Sequence, residues 1–119
     1  MKLIVTNNPL VYERHKGENI IYLENQDYLD VLIKARDLIH ENYQLMVHPL
    51  YSNFLADKTF YKTIVLKEGS KIDLESIELI EDAIILIRNS LSHRDKRIYA
   101  NNIKSDLQFI DYEIIKQAL

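Results

Sequence analysis

Polar side chains follow two short apolar runs of this 119-residue chain, at points where a strand is expected to end. Thr6, Asn7 and Asn8 directly follow the first run, and His48 follows a later one. In an open parallel sheet, ligands bind outside the carboxyl ends of the strands. The threonine and asparagine side chains supply hydrogen-bond donors and acceptors, and an imidazole can act as an acid, a base or a ligand. If the two strands are neighbours, these residues form a small-ligand site.

Two interpretations of these residues stay open. In the first interpretation, Asn8 does no more than cap a helix that begins at Pro9. The free backbone N–H groups at that helix start can also hold an anion. His48 is either a hydrogen-bonded turn residue or the general base of a small enzyme that also uses Thr6, Asn7 and Asn8. A binding protein and an enzyme are therefore the two hypotheses for this site.

Arg36 is a further candidate ligand-binding residue, because it lies on the apolar side of a predicted helix. An arginine on such a face must find a partner or extend to solvent. It can clamp a carboxylate or phosphate group of a ligand. The alternative is a structural ion pair with a helix neighbour such as Asp30 or Asp37.

The sequence predicts no metal site and no resident cofactor. It contains no cysteine, which excludes thiolate zinc sites, iron–sulfur clusters and cysteine nucleophiles. The four histidines lack an H-x-x-x-H pair. No G-x-S-x-G motif, Walker loop or glycine-rich dinucleotide fingerprint occurs. The scattered histidines are His15, His40, His48 and His93.

Charge and hydropathy argue against nucleic acid and membrane partners. The net charge is −3, whereas a nucleic-acid-binding domain usually carries a basic surplus. A basic cluster at residues 93–97 is expected to be a solvated connector, with contact to RNA or phosphates as the alternative. No apolar run reaches the ~18 residues of a membrane span, and the first residues do not form a signal peptide. We therefore expect a cytoplasmic protein.

Apolar runs and helical periodicity alternate along the chain, which is typical of an α/β fold. We predict one domain over residues 1–119, a small Rossmann-like layered domain with a mostly parallel four-stranded sheet and flanking helices. The expected strand order is one such as 2-1-3-4, with the fourth strand able to run antiparallel at an edge. The predicted strands are 3–5, 20–23, 45–47 and 64–66, and the predicted helices are 9–16, 28–41, 74–91 and 103–118, with Asp27 and Asp73 as N-caps of the second and third.

The last two predicted helices carry long apolar stripes. If these stripes exceed what a monomer can cover, the chain forms a homodimer; a monomer is the alternative. The stripes consist of Ile77, Ile80, Ile84, Ile87 and Leu91 in the third helix, and of Ile103, Leu107, Ile110 and Ile114 in the fourth.

Several segments, in this order and spacing, resemble the GrdX family. The combination of T-N-N-P-L-V near the start and H-P-L some forty residues later carries most of the likeness. The resemblance covers about residues 2–90. The matching segments are 6–11, 28–32, 36–40, 48–50, 61–64, 73–76 and 80–82.

The resemblance implies a role rather than a reaction. The GrdX family is encoded beside the glycine, sarcosine and betaine reductase systems of anaerobic bacteria. It implies a cytoplasmic accessory protein of amino-acid fermentation, with a reductase component as partner. Redox chemistry in these systems uses thiol or selenol groups, so a chain without cysteine is not their thiol redox carrier.

Overall fold

The structure is a computed structural model, and it describes residues 1–50, 60–91 and 101–119. Most of the predicted loop at 50–60 and of the predicted connector at 92–101 falls outside the described residues. The basic cluster at 93–97, which includes His93, lies outside them as well.

A four-stranded sheet with the order β2-β1-β4-β3 forms the centre of the described structure. The two central strands are longer than the two edge strands, as expected where a strand is covered on both faces. The strands are β1 (Lys2–Thr6), β2 (Ile20–Tyr22), β3 (Tyr43–Leu45) and β4 (Thr63–Glu68).

The sheet is mixed. β1 pairs with β2 in parallel and with β4 in antiparallel orientation, and β3 also runs antiparallel to β4. Thr6, the last residue of β1, lies opposite Thr63, the first residue of β4. Because β1 and β3 both oppose β4, their carboxyl ends lie at the same edge of the sheet.

The prediction of a mostly parallel, Rossmann-like sheet is therefore wrong, although an α/β fold is confirmed, with four strands and four helices in the described part of the chain. β4 does run antiparallel to its neighbours, as the prediction allowed, but it lies between β1 and β3 and not at an edge. The order 2-1-3-4 is therefore also wrong. The physical reason is that an apolar run such as residues 64–66 indicates burial on both faces, not strand direction. A central antiparallel strand between two helical layers gives the same pattern.

The first two helices begin at the predicted caps. α1 (Pro9–Arg14) has Asn8 as its N-cap and a proline in its first turn. α2 (Tyr28–Ile39) starts with a capping box. The side chain of Asp27 accepts the backbone N–H of Asp30, and the side chain of Asp30 accepts the backbone N–H of Asp27. α1 ends at Arg14, two residues earlier than its predicted end.

The other two helices are α3 (Leu74–Leu91) and α4 (Asn101–Ile115). Asp73 accepts a hydrogen bond from the backbone N–H of Ser76, which confirms it as the cap of α3. The predicted stripe of α3 is also confirmed where side chains are described, since Ile80, Ile84 and Ile87 are buried.

One face of the sheet packs against α2 and α3 and forms the main hydrophobic core. Val5 of β1 and both Ile64 and Leu66 of β4 point to this face. The helices contribute Tyr28, Val31, Leu32, Ala35, Leu38, Ile39, Ile80, Ala83, Ile84 and Ile87.

The opposite face lies on the side of α4, whose Asp111 accepts a hydrogen bond from the Thr63 hydroxyl on β4. Alternation places Ile4 and Val65 on this same face. The predicted apolar stripe of α4 does not describe its buried side: Ile103 and Ile114 are 42% and 40% exposed, whereas Asp111 is buried. α4 thus turns a carboxylate toward the sheet.

Candidate functional site

A cluster of buried polar side chains lies where β1 ends and β4 begins, and we refer to it as the strand-end cluster. Polar groups at such depth are stable only when hydrogen-bonded, so the cluster must be internally connected. Its members are Thr6, Asn7, Asn8, Lys62, Thr63 and Asp111, all less than one tenth exposed.

A chain of hydrogen bonds runs from β1 through β4 to α4. The Asn8 backbone N–H donates to Thr6 Oγ1 over 3.0 Å, and the hydroxyls of Thr6 and Thr63 are 2.8 Å apart. Thr63 Oγ1 donates to Asp111 Oδ2 over 2.9 Å. Thr6 Oγ1 also donates to the backbone carbonyl of Lys62 over 3.2 Å. Because a hydroxyl has one hydrogen, Thr6 shares it between that carbonyl and Thr63 Oγ1.

Asn8 links the helix cap to the same carboxylate. Its Oδ1 accepts the backbone N–H of Leu10 over 3.0 Å, as an N-cap should. Its Nδ2 donates to Asp111 Oδ2 over 2.9 Å and to the backbone carbonyl of Gln108 over 3.0 Å. Asn8 is therefore a cap, as one of the two interpretations held, and also a donor to a carboxylate.

Asn7 uses its whole side chain to bind the backbone. Its Nδ2 donates to the carbonyls of Gln26 and Phe60 over 2.8 and 2.7 Å, and its Oδ1 accepts the N–H of Lys62 over 2.8 Å. These bonds tie the end of β1 to the connection before α2 and to the start of β4.

Lys62 is a buried cationic residue of the cluster, only 1% exposed. Its Nζ lies 5.3 Å from the centroid of the Tyr28 ring. Burial lowers the pKa of Lys62 to about 7, while the negative charge of Asp111 acts in the opposite direction. Burial, and then Asp111, raises the pKa of Tyr28 above its usual range.

Tyrosines adjoin the cluster on the side of α1 and β2. The rings of Tyr12 and Tyr22 stack with centroids 4.4 Å apart. Burial raises the pKa of Tyr22, with further contributions from Glu24, Tyr61 and Tyr12. Tyr61 also accepts a hydrogen bond from Gln108 Nε2 over 3.0 Å, so Tyr61 borders the docked α4.

His48 lies apart from the strand-end cluster. β4 separates β3 from β1, so the loops after β1 and β3 are not adjacent. The His48 side chain is exposed, and its Nδ1 accepts the backbone N–H of Leu50 over 3.0 Å. This is the geometry of the turn residue, and it gives no support to His48 as a general base beside Thr6.

Arg36 also lies away from the cluster, on the surface between α2 and α3. Its guanidinium is 3.4 Å from an oxygen of Asp37 and 4.0 Å from an oxygen of Glu81 on α3. The structural ion pair with Asp37 is therefore present.

Sequence reasoning missed Lys62, Thr63 and Asp111. One signal was available for Asp111. It follows Gln108 by three residues and precedes Ile115 by four, so in a helix it lies on the same face as an apolar residue that is expected to be buried. Nothing in the local sequence distinguishes Lys62 or Thr63 from ordinary residues at the start of a strand.

No group of three or more His, Asp or Glu side chains is placed to hold a metal ion within the described ranges. Over the same residues, no helix combines the length and apolar character needed to cross a bilayer. A surface cavity of about 340 Å³ lies beside the first residues of β1, at the opposite end of that strand from Thr6. It is lined by Met1, Lys2, Leu3, Asn19, Ile20, Tyr43 and Glu68.

Comparison with known proteins gives a match at the level of a protein family. Neither the curated proteins nor the solved structures contain a significant relative. The sequence model of the GrdX-like protein family matches residues 3–119, which is nearly the whole chain and extends beyond the segments that carried the resemblance. The chain belongs to the GrdX-like protein family.

Proposed function

We propose that the chain is an accessory protein of glycine reductase-type amino-acid fermentation and that it binds a small anionic ligand at the strand-end cluster. Membership of the GrdX-like family supports the accessory role. The chemistry of the cluster supports the ligand class.

One observation carries the choice of an anion. Two side-chain donors from different segments, Asn8 Nδ2 and Thr63 Oγ1, meet on a single carboxylate oxygen of Asp111, each over 2.9 Å. Hydrogen bonds to an ionised acceptor are stronger than those between neutral groups. The nearby amine of Lys62 interacts electrostatically with the same carboxylate. The cluster therefore has the donors that a small carboxylate requires, together with an amine that carries a positive charge below about pH 7.

The residues proposed to contact the ligand differ in part from those suggested by sequence. Asn8 and Thr63 would donate directly, and Thr6 would support Thr63 through its hydroxyl. Asn7 would position the strand end, because its side chain already holds three backbone groups. His48, which is exposed, is not part of the proposed contact set.

Thermal-shift and calorimetric titrations with acetate, glycine, betaine, acetyl phosphate and nucleotides test this proposal. A ligand at a hundredfold excess over its dissociation constant stabilises the folded state by about 2.7 kcal/mol. Thr63→Val removes one donor at nearly constant shape and should weaken the response. His48→Ala is the control that should leave the response unchanged.

A second arm tests the accessory role. An immobilised wild-type chain should retain a component of a glycine reductase-type system from an anaerobe that encodes both. If no anion stabilises the protein and no reductase component is retained, both parts of the proposal are contradicted. If His48→Ala abolishes ligand binding while Thr63→Val does not, the cluster is the wrong site.

A further inference from the structure

α4 docks on the sheet with a buried carboxylate as well as with an apolar side chain. Asp111 is 7% exposed and Ile115 is 1% exposed, whereas Phe109 on the same helix is 50% exposed. A surface helix normally turns only apolar residues inward. The hydrogen bonds of the Asp111 carboxylate and the burial of Ile115 therefore decide together how α4 is rotated against the sheet.

The docking contacts around Asp111 are polar. Asn8 Nδ2 donates to the Gln108 carbonyl, Gln108 Nε2 donates to the Tyr61 hydroxyl, and Thr63 donates to Asp111. The first two join neutral groups and exchange with bonds to water at a small net cost, whereas the bond to the carboxylate is stronger and is best replaced by another anion. Folded proteins open locally at such elements, and an anion that takes the place of Asp111 favours the opening.

We propose that the Asp111 carboxylate is an internal substitute for the ligand, so that a small carboxylate binds Asn8 and Thr63 beside Lys62 by displacing α4. This inference rests on the proposed function, since it identifies the ligand class and the way in which the same cluster is opened. Asp111 keeps the donors paired when no ligand is present, and α4 is the element that moves when one binds.

The contacts favour a carboxylate over a phosphate. Two side-chain donors meet on one oxygen of Asp111, and one oxygen of a carboxylate ligand can take its place. A phosphate would bring more charge into a buried site, which raises the cost of removing it from water. When Lys62 is protonated, its charge further disfavours a ligand whose own ammonium group lies next to its carboxylate. Acetate and propionate should therefore bind more tightly than inorganic phosphate and than glycine.

Binding of sodium acetate to the wild type and to Asp111→Asn tests the competition, with sodium chloride at equal ionic strength as the blank. The variant keeps the shape of the side chain but removes the competing charge. If the wild-type site is open for a tenth of the time or less, the variant should bind acetate about tenfold more tightly or better. Asp106→Asn is the matched control, because Asp106 is an exposed carboxylate of the same helix.

Motion of α4 can be measured in the wild-type cluster, which keeps the test valid if Asp111→Asn does not fold. The chain has no cysteine, so Ser105→Cys on α4 and Glu78→Cys on α3 give a unique pair of spin labels. Both positions are exposed. Acetate should shift the distribution of label distances, and chloride should not.

The outcomes separate the two proposals. Tighter acetate binding by Asp111→Asn together with a shifted label distance supports the inference. Equal binding by wild type and variant with α4 unmoved overturns the inference and leaves the anion site standing. Absence of binding by any anion to either protein overturns the proposed ligand site itself, and this inference with it.

Discussion

The side chain of Asn7 makes three hydrogen bonds, all to backbone groups that are distant in sequence. The acceptors of its amide are the carbonyls of Gln26 and Phe60, and the donor to its oxygen is the N–H of Lys62. A buried backbone group that loses its partner costs free energy comparable to a lost hydrogen bond. Asn7 thus stabilises the strand end on which the candidate site is built.

Replacing Asn7 by alanine should lower the free energy of unfolding by about 2–4 kcal/mol, because three hydrogen bonds to backbone groups would be lost in a largely buried site. Urea titration followed by circular dichroism measures the change. Asn19→Ala is the matched control, since Asn19 is exposed, and it should change stability by about 0.5 kcal/mol or less. Similar losses in the two variants would contradict the role assigned to Asn7.

At the residue scale, the sequence located one half of the candidate site. Thr6 and Asn8 were identified because they follow an apolar run and precede a proline, which are local signals. Their partners Thr63 and Asp111 are 57 and 103 residues away along the chain. Such pairings depend on strand order and on the rotation of α4, and neither is encoded in local spacing.

At the element scale, the turn after β4 depends on a close approach of two backbone segments. A Cβ on Gly69 would lie 2.7 Å from the backbone oxygen of Asn42, just before β3, and 3.0 Å from the side-chain nitrogen Nε2 of Gln44. Carbon atoms do not approach a backbone oxygen so closely without a shift of the chain. The pairing of β3 with β4 therefore requires glycine at this position.

Gly69→Ala should destabilise the protein by about 1–3 kcal/mol, because the added methyl group forces β3 away from β4. Gly17→Ala is the control: nothing lies within 4 Å of a Cβ there. That substitution should be neutral or stabilise by up to about 1 kcal/mol. Thermal unfolding of both variants measures the difference, and equal melting temperatures would rule out the steric role of Asn42.

The start of α3 protects the edge of the sheet. The backbone N–H of Leu45 in β3 donates to Ser76 Oγ over 3.0 Å, and Ser76 Oγ donates to Asp73, the cap of α3. Unpaired edge groups invite pairing with other chains. The short strand β3 is thus joined to the helix that covers it.

Ser76→Ala should cost about 1–3 kcal/mol and expose the Leu45 amide, since the buried hydroxyl is the acceptor of that N–H. Hydrogen exchange at Leu45 should accelerate more than exchange at Val65 in β4. Ser105→Ala, at an exposed position of α4, should alter neither rate. Unchanged protection of Leu45 in Ser76→Ala would show that another group holds this edge.

Helix caps and apolar stripes were predictable from sequence, whereas strand bounds were less so. Asn8, Asp27 and Asp73 all cap the helices they were expected to cap, because capping depends on neighbouring residues alone. β3 begins two residues earlier than predicted, at Tyr43. Its position is set by pairing with β4 and by the contact at Gly69, which are not local.

At the scale of the whole molecule, the class of fold followed from the sequence but the topology did not. A chain of alternating strands and helices buries its apolar residues by packing helices in layers on a sheet, and the structure has this arrangement. The direction of β4 depends on pairing over the full length of β1, from Lys2 opposite Lys67 to Thr6 opposite Thr63. Apolar burial on both faces is satisfied equally by parallel and antiparallel neighbours.

The buried amine of Lys62 links global stability to pH. Its pKa is about 7 in the folded state, whereas a lysine in an unfolded chain has a pKa of about 10.4. Between these values the unfolded state binds more protons, so the free energy of unfolding should rise with pH. Above about pH 10 the trend should reverse, because an unfolded tyrosine loses its proton there. Folded Tyr28 keeps its proton, since burial raises its pKa.

Wild-type stability should therefore increase from pH 7 to pH 9, with a slope of up to about 1.4 kcal/mol per pH unit from Lys62. Lys62→Met should flatten this slope, whereas Lys71→Met, at an exposed position, should retain it. The slope is the informative quantity, because Lys62→Met also removes a buried amine that interacts with Asp111 and so changes the stability itself. Urea titrations at pH 6, 7.5 and 9 give the three curves. Parallel curves for wild type and Lys62→Met would show that the Lys62 amine does not change its protonation on folding in this range.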